Sequence, residues 1–170
     1  MADSTKGNLA LVFSGGGARA AYQVGALLGI AERAGEGFRF PIVTGVSAGA
    51  INAARIASAE TSLPGAARAL ADGWMALSVR RVFNPGLFAL LYSGFKAGVL
   101  LTTAGRLPGF PVRGLLNTKP LRRTMSRFLQ TEGIDANIAA GRLRALALTA
   151  TSYATGHTVT FVQGSDDVPT

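Results

Sequence analysis

Residues 11–22 read LVFSGGGARAAY, an apolar run followed by three consecutive glycines, an arginine at 19 and an alanine-rich stretch. Leu9 to Phe13 has the length of a strand and is ended by Ser14 and the glycines, while Ala18 to Ala34, rich in alanine with leucine and a glutamine among the other residues, favours a helix. Glycines between strand and helix let a ligand approach the backbone, either a phosphate or the oxyanion of a reacting carbonyl. The pattern recurs at once. Phe40 to Thr44 is a β-rich run, Gly45 to Gly49 a turn, and Ala50 to Ala59 a helix of small residues. Two strand-turn-helix units in succession predict a parallel βαβ core with both turns at the carboxyl ends of strands, where open α/β sheets place their ligands.

The bulk composition limits what can surround this core. With 170 residues, 48% hydrophobic and 15% charged, the chain is expected to form a single domain with a real core. Cysteine is absent and His157 is the single histidine, which leaves no disulfide, no thiolate site and no multi-histidine metal centre; no metal or cofactor is implied. A formal charge of +8 favours an anionic partner, yet the arginines are spread out and no basic run is interleaved with aromatics, so no nucleic acid is expected. An anionic membrane surface or an acidic substrate is left, and sign alone does not choose between them. The start, MADSTKGNLALVF, has too short an apolar core for a signal peptide, and the reading is a cytoplasmic protein without a transmembrane helix.

Further along, Pro64 to Ser78 reads as a helix interrupted by Gly73, with Leu70, Trp74 and Leu77 on one core-facing side, and Asn84 to Gly86 as a turn. The segment 86–101, GLFALLYSGFKAGVLL, is apolar nearly all round but shorter than the roughly 20 residues of a spanning helix. It reads as a buried or interface helix, with a membrane-dipping lid as the alternative. Thr102 to Gly114 is loop-like, Thr118 caps a further helix, and Leu143 to Tyr153 and Thr158 to Val162 form a hairpin across the Ala154 to His157 turn.

The second turn, Gly45-Val46-Ser47-Ala48-Gly49, fits the nucleophile elbow G-x-S-x-G. A serine at the tip of so tight a turn is forced into a strained backbone conformation, and glycines at 45 and 49 let strand and helix approach each other. An acyl-transfer serine also needs donors for the tetrahedral intermediate, and the backbone N–H groups of Gly15, Gly16 and Gly17 can supply them. In a parallel βαβ unit the two turns share one sheet edge and face one substrate.

Two other readings compete. Gly15-x-Gly17-x-x-Ala20 also satisfies the relaxed dinucleotide fingerprint, which requires an acid at the end of the second strand; that strand ends Val43-Thr44-Gly45, and Glu36 falls in the turn before it. His157 admits a Ser-His-Asp triad in the order Ser47, Asp135, His157, although a hairpin-turn histidine needs no such role. Arg19 either holds an anionic group beside the glycine turn or pairs with a carboxylate as a helix-start arginine.

The segments SGGGARAAYQVGAL (14–27) and GVSAGAINAA (45–54) resemble the glycine-rich and nucleophile segments of the patatin-like phospholipases, serine lipid acyl hydrolases that work with a Ser-Asp dyad. GLLNTKPLRRTM (114–125) and LALTATSYATGHTVTF (146–161) extend the likeness over most of the chain. The resemblance implies a mainly parallel α/β sheet with helices on both faces. It implies a lipid or ester substrate, Ser47 as nucleophile, and Gly15 to Arg19 as the oxyanion segment. Ala20 stands where many members carry glycine. The family's aspartate lies in an Asp-Gly turn well after the strand pair, and the one Asp-Gly here, Asp72-Gly73, falls in a helical stretch. The chain therefore reads as the N-terminal portion of a patatin-like domain, truncated before the final strands and nearly inactive alone, since a serine without a base is a poor nucleophile. A non-catalytic binding or regulatory module with the same fold is the alternative.

Overall fold

A computed structural model describes residues 9–77, 129, 131–152 and 155–168. Four strands, β1 (Ala10–Phe13), β2 (Ile42–Val46), β3 (Ala145–Thr151) and β4 (Thr158–Gly164), form one sheet in the order β1-β2-β3-β4. The first two pairings are parallel and the last is antiparallel. Four helices are described: α1 (Ala20–Ala34), α2 (Ala48–Ala57), α3 (Leu63–Met75) and α4 (Glu132–Ala139). The mainly parallel α/β sheet expected from the paired strand-turn-helix units is therefore present. The chain divides into two compact units, Met1–Met75 with Phe128–Thr170, and Ala76–Arg127; every element named here belongs to the first.

Alternation along the strands decides where the core lies. Phe13, Val43 and Leu146 are buried on one face, in register through Gly45 and the neighbouring pairs, and the described helices pack on that face. Helix α1 buries Ala20, Val24, Leu27 and Ala31, an i, i+4, i+7, i+11 stripe, and stops at Gly35, whose φ of 82° suits glycine and whose N–H donates to the Ala31 carbonyl. Helix α2 is made of small residues and is buried nearly all round, at Gly49, Asn52, Ala53, Ala54, Ile56 and Ala57, because it lies against the sheet on one side and α1 and α3 on the other. The opposite sheet face carries Val12, Thr44, Ala147 and Val162 in one row, with Val12 67% and Val162 41% exposed. The second helical layer implied by the family resemblance is not among the described residues.

The boundaries shift from the sequence expectations in ways that packing explains. Strand β2 starts at Ile42 rather than Phe40, since Phe38 and Phe40 pack edge to face, centroids 5.0 Å apart, against the core from the approach segment. It also extends through Gly45 to Val46, so the turn contracts to Ser47 alone. Gly73 does not interrupt α3, while Leu77 lies past its end; Leu70 is buried and Trp74 packs on the core. Strand β4 runs on to Gly164, and α4 has no counterpart in the sequence reading. No described helix is long and apolar enough to cross a membrane. The readings of 84–86, 86–101, 102–114 and the helix after Thr118 lie outside the described residues.

Candidate active site

Ser47 sits between the last residue of β2 and the first of α2, with φ 55° and ψ −119°, and it alone among the described non-glycine residues has a positive φ. That conformation is costly for an L-residue and persists because its surroundings fix it. The Ser47 N–H donates to the Thr149 carbonyl of β3 at 2.9 Å, and the Ser47 carbonyl accepts from Ala50 at 3.0 Å. The two flanking glycines are required by contact rather than by dihedral freedom. A Cβ on Gly45 would overlap the Gly49 carbonyl oxygen and stand 2.7 Å from the Ala50 nitrogen. One on Gly49 would stand 2.5 Å from the Phe13 carbonyl oxygen and 2.6 Å from that of Ser14. The strand of the first unit, the strand of the second and α2 thus meet at a point where no methyl group fits, and Ser47 is left exposed at the helix N-terminus.

The first glycine turn lies against this serine. A Cβ built on Gly15 would be 3.6 Å from Ser47 Cβ and 3.5 Å from the Val46 carbonyl oxygen, so the two turns touch. The N–H groups of Gly15 and Gly16 donate to no acceptor among the described residues, and Gly15, Gly16 and Gly17 are all exposed. Gly17, at φ 58°, opens a short 3₁₀ turn, Gly17–Arg19, that leads into α1; Arg19 is exposed on the same turn. Free N–H groups beside an exposed hydroxyl are the arrangement that stabilises a developing oxyanion.

Two side chains not singled out by the sequence reading, Gln23 and Asn52, hold these turns, the second with Trp74. Gln23 Nε2 donates to the carbonyl and to the hydroxyl of Ser14, each at 3.0 Å, and so ties α1 to the start of the glycine turn. Asn52, wholly buried in α2, donates from Nδ2 to the Ala20 carbonyl at 3.2 Å and accepts from Trp74 Nε1 at 2.8 Å. A polar residue on the buried face of an alanine-rich helix is the signal that could have pointed to Asn52, since such a group must be paired.

The candidate acids and the histidine do not converge on Ser47. Asp135 in α4 accepts from Gln163 Nε2 at 2.5 Å, and Gln163 pairs with Leu146 near the amino end of β3. His157 precedes Thr158, which pairs with Thr151 at the opposite end. The six residue steps from His157 to Gln163 along β4 correspond to roughly 20 Å, so Asp135 and His157 do not form one triad. Asp167 binds Arg144 at 2.7 Å, again at the amino edge, and Asp72 lies on exposed α3 surface. Among the described residues, no carboxylate or imidazole hydrogen-bonds the Ser47 hydroxyl. Glu36 occupies an exposed turn before β2, at the edge away from the glycine turn, where it cannot meet a ribose bound there.

Comparison with known proteins places the chain in a family. Residues 11–169 match the family model described as patatin-like phospholipase. Among solved structures, the chain is similar at 22% identity to full-length ExoU from the type III secretion system of Pseudomonas aeruginosa in complex with full-length SpcU, covering 90% of this chain and 34% of that one, TM-score 0.46. A second structure, of type III effector protein ExoU, is also 22% identical, with 92% and 36% covered and a TM-score of 0.42. The chain thus spans about a third of the length of these two. No curated protein matches it. With the match extending over nearly its whole length, the chain belongs to the patatin-like phospholipase family.

Proposed function

We propose that the protein to which these residues belong is a serine-dependent lipid acyl hydrolase. Ser47 attacks an ester carbonyl, the N–H groups of Gly15 to Gly17 receive the oxyanion, and Arg19 holds an anionic part of the substrate beside them. The base is an aspartate outside this sequence, and the 170 residues alone are nearly inactive. The observation that supports this most is the strained, exposed Ser47 with Gly15 at contact distance. Assayed on phosphatidylcholine, lysophospholipid and p-nitrophenyl butyrate, the protein read from the complete frame releases fatty acid, and Ser47→Ala lowers the rate by at least ~10³-fold. Hydrolysis that survives this change would reject Ser47 as the nucleophile.

The absence of a base on Ser47 among the described residues favours one second reading, a binding or regulatory module that keeps the fold without the chemistry. The same assay separates the two, since the module binds lipid and releases no acid. In either case the +8 charge brings the protein peripherally to anionic membrane from the cytoplasmic side, and added salt weakens its binding to anionic vesicles.

A further inference from the structure

We propose that Arg39 and Arg142 form a second anion site, for a phosphate group, on the sheet edge opposite Ser47. Arg39 precedes β2 and Arg142 precedes β3, so both stand at the amino ends of strands whose carboxyl ends carry the elbow. The length of β2 alone, five residues, separates the two places by roughly 16 Å. Both arginines line one cavity of about 30 Å³, together with Asn137 and an apolar wall that includes Phe40, Leu63 and Leu143. That volume has room for a group the size of one oxygen atom.

The site is built from a buried polar anchor. Asn137, 3% exposed, donates to the carbonyls of Ala57 at 2.7 Å and Ala59 at 3.0 Å, and its Oδ1 accepts from Arg142 Nε at 2.7 Å. This bond fixes the Arg142 side chain while leaving its terminal nitrogens without an acceptor among the described residues. Arg39 has neither a hydrogen-bond acceptor nor a carboxylate partner among them. Neither arginine forms an ion pair with a carboxylate among the described residues: Glu32 pairs with Arg68 and Asp167 with Arg144, while Glu36 and Glu60 are exposed. Burial, and then the charge of Arg142, draws the Arg39 guanidinium below its ordinary pKa. Two guanidinium forks match a phosphate group, which carries close to two negative charges near neutral pH, better than a single carboxylate.

Free phosphate and a phosphomonoester headgroup share this chemistry, and one experiment tells them apart. Titrate the full chain with inorganic phosphate at constant ionic strength, and separately with phosphatidic acid or phosphatidylcholine vesicles. Phosphate binds the wild type, Arg39→Gln weakens it at least tenfold, and the exposed Arg33→Gln leaves it unchanged. Arg39→Lys, which keeps the charge but loses the fork, weakens it several-fold at an unaltered melting temperature and serves if the glutamine variant does not fold. Arg39-dependent binding to phosphatidic acid and not phosphatidylcholine, displaced by free phosphate, identifies a headgroup; phosphate binding without vesicle binding identifies the free ion. Absence of both, or equal weakening by Arg33→Gln, would overturn the site.

Discussion

Ser47 accepts a left-handed backbone because everything within reach is already fixed: β3 holds its N–H, α2 starts at its carbonyl, and Gly45 and Gly49 leave no room to relax. The strain presents the hydroxyl rather than burying it. Gly15 is a different case, since its φ is not positive and a Cβ there meets only ordinary contact distances. Gly15→Ala should therefore cost less than ~1 kcal/mol of stability while placing a methyl group beside Ser47, at the proposed oxyanion position. The expected outcome is a melting temperature within a few degrees of wild type and hydrolysis reduced ~10²-fold or more, measured on the complete protein. Substitution at Gly45 acts the other way, through the fold, because its clash is with backbone that cannot yield.

At the scale of elements, three helices are tied at one point. Trp74 of α3 donates to Asn52 of α2, which donates to Ala20 at the start of α1, so the helices that follow the two turns are held at a fixed separation. Asn52→Ala leaves the indole N–H and a buried carbonyl without their partner, and chemical denaturation should show a loss of ~1–3 kcal/mol. The restoring contrast is Trp74→Phe in the same background, where the indole donor is gone and part of the loss disappears. Helices α1 and α2 of this knot were readable from residues 9–59, because apolar runs of strand length alternate there with glycine turns and small-residue helices, and α3 was readable from Pro64 to Ser78. The register of β2 was less so, since Phe38 and Phe40 look like strand residues but pack as an edge-to-face pair. Helix α4 was missed for a related reason: EGIDANIA carries an interior glycine and, at eight residues, is too short to display a helical period. Gly133 is there because its Cα lies against the Ser58 carbonyl, where a Cβ would overlap the oxygen. Tertiary contact, invisible in local periodicity, selects it. Ser47 and the glycine turn were readable as a pair, whereas Gln23, Asn52 and Trp74 act only through neighbours distant in sequence.

Across the whole molecule, the sheet separates two chemistries. Its carboxyl edge presents an exposed serine and free N–H groups, and its amino edge gathers Arg39, Arg142, Arg144 and Asp167. A hydrogen bond from the Ser165 hydroxyl, aided by the charge of Arg144, keeps the Asp167 carboxyl below its usual 3.8. A carboxyl depressed in the folded state contributes stability that is complete above the ordinary value and is lost as pH falls through the lowered one. The melting-temperature gap between wild type and Asp167→Asn should therefore be constant from pH 7 to about 5 and close below pH 3.8, by a small amount given how exposed the pair is. The central claim, that Ser47 is a nucleophile at an oxyanion-stabilising turn, is tested most directly by a fluorophosphonate probe on the protein read from the complete frame. Peptide mass spectrometry should find one adduct, on the elbow peptide at Ser47, absent from Ser47→Ala and strongly reduced in Gly15→Ala; labelling that persists in Ser47→Ala, or a complete protein that is folded and takes no label, would contradict it.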